Sequence, residues 1–389
     1  MSLIRTDYFL SPYQTGKWVL EVSGAHFIIN DDTKKLVDIL SRAQNYEEAT
    51  VQFNSDFENH DLNETEFTSF TEKVFEGIPI FNNSTIEVKE SKSYIKFQKE
   101  LLKPSTAGKI ASLITFLFNK KLFWITFSLL VLLEIIIMVT TSLSSFTNLS
   151  PLWILAIYTS TMFLHELGHI AACRKFTGKN GEIGFGIYFI FPVLYSNISS
   201  VWHASKQERV ITNLAGIYMQ LLCMFILYGL YLLTHNASLL YLAYFIAFYC
   251  LLQVFPFIRS DGYWLLSDLT STSNLLQKSE TEVRSFISKP FGWLKEKKEK
   301  KVFLLGYGLF NYAILIYFIT TQLIFNWKGV LYFPVYIFNT IKQVLTLQFD
   351  KMTFDNSLIT VVIFYILLFN NISNITKNIS ASIDKKRDR

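Results

Sequence analysis

The sequence comprises 389 residues, of which 51% are hydrophobic and 16% aromatic, whereas only 17% carry a charge. This composition excludes a disordered, collagen-like or coiled-coil chain and favours a protein with several helices buried in a lipid bilayer. The three cysteines are too few to indicate a disulfide scaffold. The net charge of +5 comes from basic residues that cluster beside apolar segments, which is typical of lipid-headgroup contacts and membrane topology and not of nucleic-acid binding.

Residues 1–103 form a predicted soluble domain, because acidic and polar side chains are frequent there and no apolar run approaches the length that crosses a membrane. Alternating apolar residues predict a β-hairpin, and apolar residues at helical spacing predict three short helices after it. The strands are predicted at Trp18–Val22 and Phe27–Ile29, and the helices around Leu36–Leu40, from Glu47 and at Thr65–Phe75. This order is typical of a small α+β domain that is winged-helix-like.

The same pattern resembles the PqqD-like peptide-recognition domain of ribosomal-peptide maturation systems over about Asp7 to Phe81. The resemblance implies that the hairpin edge and the third helix bind an extended leader peptide, which is added to the sheet as a further strand. The alternative is a generic small α+β domain that only orders the N-terminus, because the pattern contains no catalytic residue.

From residue 104 onward the sequence predicts an all-α polytopic membrane protein. The apolar stretch Ile110–Phe118 is too short to cross a bilayer, so residues 104–121 are interpreted as a juxtamembrane segment. Six later segments are each near the ~20 residues needed to cross the hydrocarbon core. They are Leu122–Leu143, Pro151–Cys173, Val210–Leu233, Ser238–Phe257, Val302–Phe325 and Ser357–Ile372.

The distribution of lysine and arginine predicts the orientation in the membrane. The stretch Arg174–Arg209 contains five basic residues and Arg259–Lys301 contains nine, and loops rich in basic residues are typically cytoplasmic. The expected location is a bacterial cell membrane, with both termini in the cytoplasm. Residues 122–268 are then the membrane core, in which the candidate catalytic residues described below lie, 269–301 a basic cytoplasmic loop, and 302–389 the C-terminal spanning segments and basic tail.

A metal-binding motif lies toward the end of the second predicted spanning segment, where the chain reads His165-Glu166-Leu167-Gly168-His169. Two histidines four residues apart lie on one face of a helix and can bind one Zn²⁺, while the glutamate beside them can act as a general base. Ionisable side chains at this depth cost about 2.5 kcal/mol or more each, so they require a partner, a cavity or a function. The alternative is a histidine pair that only forms hydrogen bonds between helices.

A catalytic zinc site needs a third protein ligand and one open position. Asp261 is the candidate, because Pro256 interrupts the fourth predicted spanning segment and can turn the following Asp261-Gly262 back toward the metal. In the predicted orientation, the histidine pair and this aspartate lie at the same, cytoplasmic face. On its own, an Asp-Gly pair would indicate only a turn.

Together these elements resemble the site-2 protease family of intramembrane zinc peptidases over about Leu122 to Asp268. The resemblance implies that His165, His169 and Asp261 bind the zinc cofactor. It also implies that Glu166 transfers protons as the catalytic acid and base.

The chain departs from that family at two amides, since Gln253 and Gln220 stand where the family usually has asparagine. Gln253 is expected to orient the substrate or to polarise its carbonyl. The glycine-rich, aromatic stretch Glu182–Val201 predicts a short interfacial β-hairpin near the metal, as in the resembled family. Gly184 and Gly186 in this stretch are candidate substrate-binding residues, because an exposed hairpin edge can pair with an unwound substrate. A purely structural packing element is the alternative.

The sequence therefore predicts hydrolysis of a peptide bond in or near the membrane, with maturation of a ribosomally synthesised peptide preferred over cleavage of a membrane-protein substrate. The expected partners are that substrate, the lipid bilayer and a leader peptide bound by the N-terminal domain. Two other classes are a catalytically silent peptide-binding subunit of an export system, which an intact Glu166 disfavours, and a metal or proton transporter, which usually shows internal repeats. His203 could stabilise an oxyanion or lie in the headgroup region, and Glu134 could have a helix partner or border a water-filled path.

Overall fold

The fold is mostly helical, with two small β-sheets. The computed structural model describes residues 3–57, 61–82, 95–141, 151–188, 191–257, 259–295, 298–346 and 360–369. The chain divides into two compact units, of which the first consists of Met1–Gly186 and Pro192–Ser273 and the second of Ile187–Phe191 and Asn274–Arg389.

The first unit begins with an antiparallel sheet of three strands in the order β1-β2-β3. The strands are β1 (Tyr8–Gln14), β2 (Lys17–Val22) and β3 (Ala25–Asn30). Ser23 and Gly24 connect β2 to β3, and both adopt positive φ angles of 51° and 76°, as a two-residue type I′ hairpin turn requires. The predicted hairpin is therefore present as β2 and β3. The prediction did not include β1, in which the register shifts between Pro12 and Gln14.

Three helices follow the sheet, as the sequence predicts. They are α1 (Asp31–Arg42), α2 (Tyr46–Asp56) and α3 (Glu64–Val74). Each begins after an asparagine whose side chain accepts a hydrogen bond from a backbone N–H of the first turn, which satisfies a donor that the helix leaves free. The apolar faces of the helices pack on the sheet around a buried core that includes Leu20, Val22, Leu36, Leu40, Phe53 and Phe67.

Four helices are long and apolar enough to cross a membrane. They are α5 (Lys120–Thr140), α7 (Lys206–Thr234), α8 (Ala237–Val254) and α12 (Glu299–Ile324). On α5, the side chains of Ile125, Leu129 and Val139 are 62%, 62% and 80% exposed, and such an apolar surface on a helix of this length is typical of contact with lipid. The protein is therefore a membrane protein.

These four helices coincide with four of the six predicted crossings. The second predicted crossing is the 27-residue helix α6 (Pro151–Thr177), which falls outside the four because His165, Glu166 and His169 reduce its apolar character. For the last predicted crossing, the described residues form only the ten-residue helix α14 (Thr360–Phe369). At 1.5 Å per residue, ten residues extend about 15 Å, or half of the hydrocarbon thickness. The count of six crossings stays a prediction.

The juxtamembrane segment is more structured than the sequence predicts. Helix α4 (Pro104–Ser112) and a short 3-10 turn (Thr115–Phe118) precede α5, and α4 packs against α6. A second sheet has the order β4-β5-β6, in which the predicted hairpin supplies β5 (Glu182–Tyr188) and β6 (Phe191–Asn197). The remaining strand β4 (Ile95–Leu102) comes from the end of the predicted soluble domain, so the boundary at residue 103 divides a strand from the sheet to which it belongs.

Two shorter elements connect the helices of the membrane core. A 3-10 turn (Ser199–His203) joins β6 to α7, and helix α9 (Asp261–Leu269) follows α8 after a break that contains Pro256. Helix α7 packs against α6, α8 and α9, and α5 also contacts α7. Helix α7 is therefore the centre of this part of the fold, and most of its residues between Arg209 and Leu221 are buried.

The second unit contains the remaining helices of the described chain. They are α10 (Leu275–Ser288), α11 (Pro290–Lys295), α12, α13 (Trp327–Leu345) and α14. The predicted basic loop at 269–301 contains two helices, α10 and α11. Helix α10 packs along α12. Helix α13 lies between the fifth and sixth predicted crossings, where no helix was predicted, because its lysines and Pro334 obscure the helical pattern.

Candidate metal centre

Helix α6 presents His165 and His169 on one face, as their four-residue spacing predicts. Their Nε2 atoms are 3.1 Å apart, and the two side chains are almost fully buried within the membrane core. The two imidazoles therefore converge on one point.

The break between α8 and α9 brings Asp261 to the same point. The carboxylate oxygens of Asp261 lie 3.0 Å from Nε2 of His165 and 3.5 Å from Nε2 of His169. Gly262 makes this approach possible, because a Cβ at this position would overlap the carbonyl oxygen of Val254 at the end of α8. The first turn of α9 can thus fold back closely on α8 and direct the carboxylate inward.

Helix α7 fixes the orientation of both imidazoles from behind. Nδ1 of His169 lies 2.8 Å from the carbonyl oxygen of Thr212, and a carbonyl can only accept, so this nitrogen carries the proton. Nδ1 of His165 lies 3.1 Å from Oε1 of Gln220 and donates to it in the same manner. Both Nε2 atoms are then left with a free lone pair directed at the convergence point, the arrangement typical of metal-binding histidines.

Close packing of α6 on α7 depends on a small residue. A Cβ at Gly216 would lie only 2.5 Å from Nε2 of His165, so any larger residue would displace the ring. The sequence identifies Gln220 only as a departure from the resembled family, and the contacts of Gly216 and Gln220 with His165 were not predicted. The signal for Gln220 is an amide in the middle of an apolar helix, where a polar side chain requires a partner.

The Asp261 carboxyl completes the set of donor atoms. Its two oxygens face the Nε2 atoms of His165 and His169, so the carboxylate and the two lone pairs are directed at one point. A carboxylate that stays ionised is the form that binds a metal ion.

The general-base candidate Glu166 lies beside this cluster and is only 7% exposed. Strand β6 brings Ser196 to its carboxylate. The second sheet and the histidine motif are therefore adjacent, which agrees with the predicted position of the β5–β6 hairpin near the metal.

The three ligand atoms fit a zinc ion. A tetrahedral site with Zn–N distances of 2.0–2.1 Å places neighbouring donor atoms about 3.3 Å apart, and the separations of 3.0, 3.1 and 3.5 Å lie around this value. Among the described residues, His165, His169 and Asp261 form one of two groups of three side chains that could hold a metal ion. Two imidazoles and one carboxylate leave a fourth position open, as in catalytic zinc sites.

A buried ion pair anchors α9, which carries Asp261. Nε of Arg209 on α7 donates to Oδ1 of Asp268 at 2.6 Å, and Nδ2 of Asn213 donates to Oδ2 of the same residue at 2.7 Å. Arg209 is only 1% exposed, and the ring of Tyr13 covers its guanidinium at 4.3 Å. These residues were missed by the sequence analysis, because nothing local in the chain shows that residues 209 and 268 meet.

The substrate-binding candidates lie in different environments. Gln253 is at the end of α8, and its Oε1 atom is buried without a hydrogen-bond partner among the described residues. Gly184 and Gly186 lie in β5, the central strand of its sheet, where a Cβ would overlap Tyr195 at Gly184 and Ile95 at Gly186. Close packing against β6 and β4 therefore accounts for both glycines, and the outer edge near Glu166 belongs to β6.

The structure also places His203 and Glu134, the two residues whose roles the sequence left open. His203 lies in the 3-10 turn before α7, where its ring contacts the N-terminal sheet through Ser11 and Glu21, so its observed environment is protein and not lipid headgroups. Glu134 is half-buried on α5.

Comparison with known proteins gives one partial similarity. A Bacillus subtilis protein named "Putative peptide zinc metalloprotease protein YydH" is 31% identical to this chain over 120 residues. The match covers 30% of this chain and 47% of the relative, so the chain spans about half the length of that protein. No protein-family model matches the chain, and no solved structure matches it. The similarity supports a zinc metalloprotease, in agreement with the donor atoms that α6 and α9 bring together.

Proposed function

We propose that this protein is a membrane-embedded zinc metalloprotease that hydrolyses a peptide bond in or near the membrane. The observation that carries the proposal is the convergence of His165, His169 and Asp261 within 3.5 Å of one another in the membrane core, with Glu166 beside them. Ionisable groups are costly at such a position, and binding of a divalent cation offsets the cost for all three ligands together.

The two Nε2 atoms and the Asp261 carboxylate would hold the ion. When bound, a zinc ion supplies Lewis acidity that activates water and polarises a peptide carbonyl. Glu166 accepts the proton of the attacking water on a carboxylate oxygen and transfers it to the nitrogen of the departing amine. The hydrogen bonds from His169 to Thr212 and from His165 to Gln220 keep the ligand nitrogens directed at the reacting centre throughout.

Two features support binding of an extended peptide beside this centre. The outer edge of β6 lies next to Glu166 through Ser196, and a substrate strand added there would have its backbone close to the catalytic carboxylate. The unpartnered Oε1 of Gln253 can accept a hydrogen bond from a substrate N–H. A substrate must be unwound to be cleaved, because a helical peptide bond is shielded by its own hydrogen bonds.

The substrate class follows from the resemblance to site-2 proteases and to PqqD-like domains. A peptide-binding domain at the N-terminus and a zinc centre in the membrane core would suit maturation of a ribosomally synthesised peptide whose leader is held by the first domain. In this arrangement both termini and the open side of the zinc site face the cytoplasm of a bacterial cell, where water is available.

The test compares purified full-length protein with the variant Glu166→Gln. Zinc content is measured by elemental analysis, and cleavage is measured by mass spectrometry on peptides encoded by the neighbouring genes in liposomes. We expect Glu166→Gln to retain zinc and to lose at least about 100-fold in cleavage rate, since general acid–base catalysis contributes 10²–10⁴-fold. Glu134→Gln is the matched control, because it makes the same change at a half-buried glutamate outside the centre.

Three outcomes would contradict the proposal. Cleavage that persists in Glu166→Gln would exclude this residue as the base. Wild-type protein that binds zinc but cleaves no peptide would favour a silent binding subunit, and zinc uptake into liposomes without cleavage would favour a transporter.

A further inference from the structure

A second cluster of metal-ligand side chains lies in the first unit, away from the centre described above. It is the other group of three described side chains that could hold a metal ion, and it consists of Glu21, His26 and His203. Glu21 on β2 and His26 on β3 are paired directly across the two strands, next to the tight turn that joins them. His203 comes from the 3-10 turn before α7. The cluster therefore joins the N-terminal sheet to the membrane core.

The distances in this cluster resemble those of the first centre. Nε2 of His203 lies 3.0 Å from Oε2 of Glu21, and Nε2 of His26 lies 3.8 Å from the same oxygen. The two imidazole rings are 5.2 Å apart, compared with 4.7 Å for the two rings on α6. Two imidazoles and one carboxylate are again the donors that suit zinc.

The surroundings orient the imidazole of His203. Oγ of Ser11 lies 2.6 Å from Nδ1 of His203, and the ring of Phe9 packs edge-on against the same imidazole at 4.7 Å. The hydrogen bond at Nδ1 leaves Nε2 directed toward Glu21, as a supporting partner does in a built metal site. The side chain of His203 is 6% exposed and that of His26 is 14% exposed.

The strongest indication of a missing ligand is at His26. Its Nε2 atom is buried, yet it has no hydrogen-bond partner among the described residues. A buried ring nitrogen without a partner costs free energy, and such atoms are rare in folded proteins. A metal ion between the two imidazoles and Glu21 would supply the partner that this nitrogen lacks.

One cation is already present at the carboxylate. Nζ of Lys179 donates to Oε2 of Glu21 at 2.8 Å, while the lysine side chain remains 47% exposed. A half-exposed lysine on a flexible stem forms a weak ion pair and can withdraw into water when a divalent ion arrives. Lys179 is thus a competitor for the site and not one of its ligands.

We propose that Glu21, His26 and His203 bind a second Zn²⁺, with water completing its coordination, and that this ion fastens the N-terminal sheet to the turn between β6 and α7. This inference does not rest on the proposed protease activity. The ion would be structural, because it would bridge two parts of one unit and shares no ligand with the first centre. It would also order the turn that follows β6, the strand that carries Ser196.

The experiment measures zinc per chain in purified full-length protein after exchange against a weak chelator. We expect two equivalents in the wild-type protein, and one in each of His26→Ala and His203→Ala. The double variant His165→Ala/His169→Ala is expected to retain one equivalent, which identifies the other site separately. The matched control His235→Asn changes an exposed histidine outside both clusters and should keep two equivalents.

Substitutions around the ligands give effects of opposite sign. Ser11→Ala should weaken zinc binding at the second site by about 10–100-fold, the usual effect of removing a supporting hydrogen bond. Lys179→Met should tighten binding at the second site by about threefold, because removal of an exposed ion pair releases the carboxylate. Competition with a chromophoric chelator measures both shifts, and the protein double variant at positions 165 and 169 serves as the background, so that one site is observed at a time.

Three results would overturn the proposal. The first is a wild-type protein that holds one equivalent of zinc and loses it in the double variant. Another is a zinc content of two equivalents in His26→Ala and His203→Ala, unchanged from the wild-type protein. The third is weaker zinc binding in Lys179→Met, which would make the lysine part of the fold's support and not a competitor. A variant that fails to fold is recognised by loss of both equivalents, and Lys179→Met then decides the question, because it predicts a gain.

Discussion

Replacement of Gln220 by leucine tests whether the first metal centre depends on its supporting hydrogen bonds. The Gln220 side chain is fully buried, and its Oε1 lies 3.1 Å from Nδ1 of His165. Leucine has a similar volume, and the neighbours Met162 and Cys250 are themselves apolar, so the fold should be retained. What is lost is the acceptor for the His165 N–H.

The size of the effect follows from this geometry. A buried donor left without its acceptor costs about 1–3 kcal/mol, and loss of a supporting partner usually weakens metal binding by about 10–100-fold, which corresponds to 1.4–2.7 kcal/mol. The two ranges agree. For Gln220→Leu we therefore expect a zinc dissociation constant about 30-fold higher than that of the wild-type protein.

The assay is a titration of metal-free protein in detergent against a chromophoric zinc chelator. The matched control is Gln322→Leu, which removes a buried amide from the spanning helix α12 and breaks its hydrogen bond to Asn326, outside both metal clusters. If Gln220→Leu binds zinc as tightly as the wild-type protein, or if Gln322→Leu weakens zinc binding equally, the hydrogen bond to His165 does not orient a metal ligand.

Two further substitutions address the helix that carries the third ligand. Gly262→Ala should weaken zinc binding at least about tenfold, because a Cβ there overlaps the end of α8 and must displace α9, whereas Gly306→Ala has open space and should leave zinc binding unchanged. Arg209→Met should lower the free energy of unfolding by about 3 kcal/mol, since it leaves the carboxylate of Asp268 buried without its cation. Thermal unfolding followed by circular dichroism measures this loss, and Lys206→Met, one turn earlier and exposed, should cost less than about 1 kcal/mol. If Arg209→Met and Lys206→Met lower the free energy of unfolding equally, burial of the Arg209–Asp268 ion pair does not contribute to stability.

Local patterns were sufficient to predict which side chains converge in the candidate metal centre. The spacing of His165 and His169 places them on one helix face whatever surrounds the helix. Pro256 indicates a helix break, because proline interrupts a helix in any apolar segment. The three N-terminal helices were also predictable, because apolar periodicity is a local signal. The convergence of Asp261 with the two histidines agrees with the sequence-based expectation.

Features that depend on non-local packing could not be predicted in the same way. Which turn of α7 faces His165 is decided by the crossing of α6 and α7, so the roles of Thr212 and Gln220 emerge only from the fold. The strand β4 is separated in sequence from β5 and β6, and no alternation near residue 100 identifies its partner. The position of Gly184 in a central strand follows from that pairing alone.

The contacts around Arg209 link the N-terminal domain to the metal centre through a short chain of side chains. Tyr13 of β1 covers the guanidinium, the guanidinium binds Asp268, and Asp268 lies on the same nine-residue helix as Asp261. The aromatic ring excludes water from one face of the ion pair, and exclusion of water strengthens the attraction between the charges. The N-terminal sheet therefore helps to hold α9 in place, so that the domain for which we propose peptide binding also supports the helix that supplies the third proposed zinc ligand.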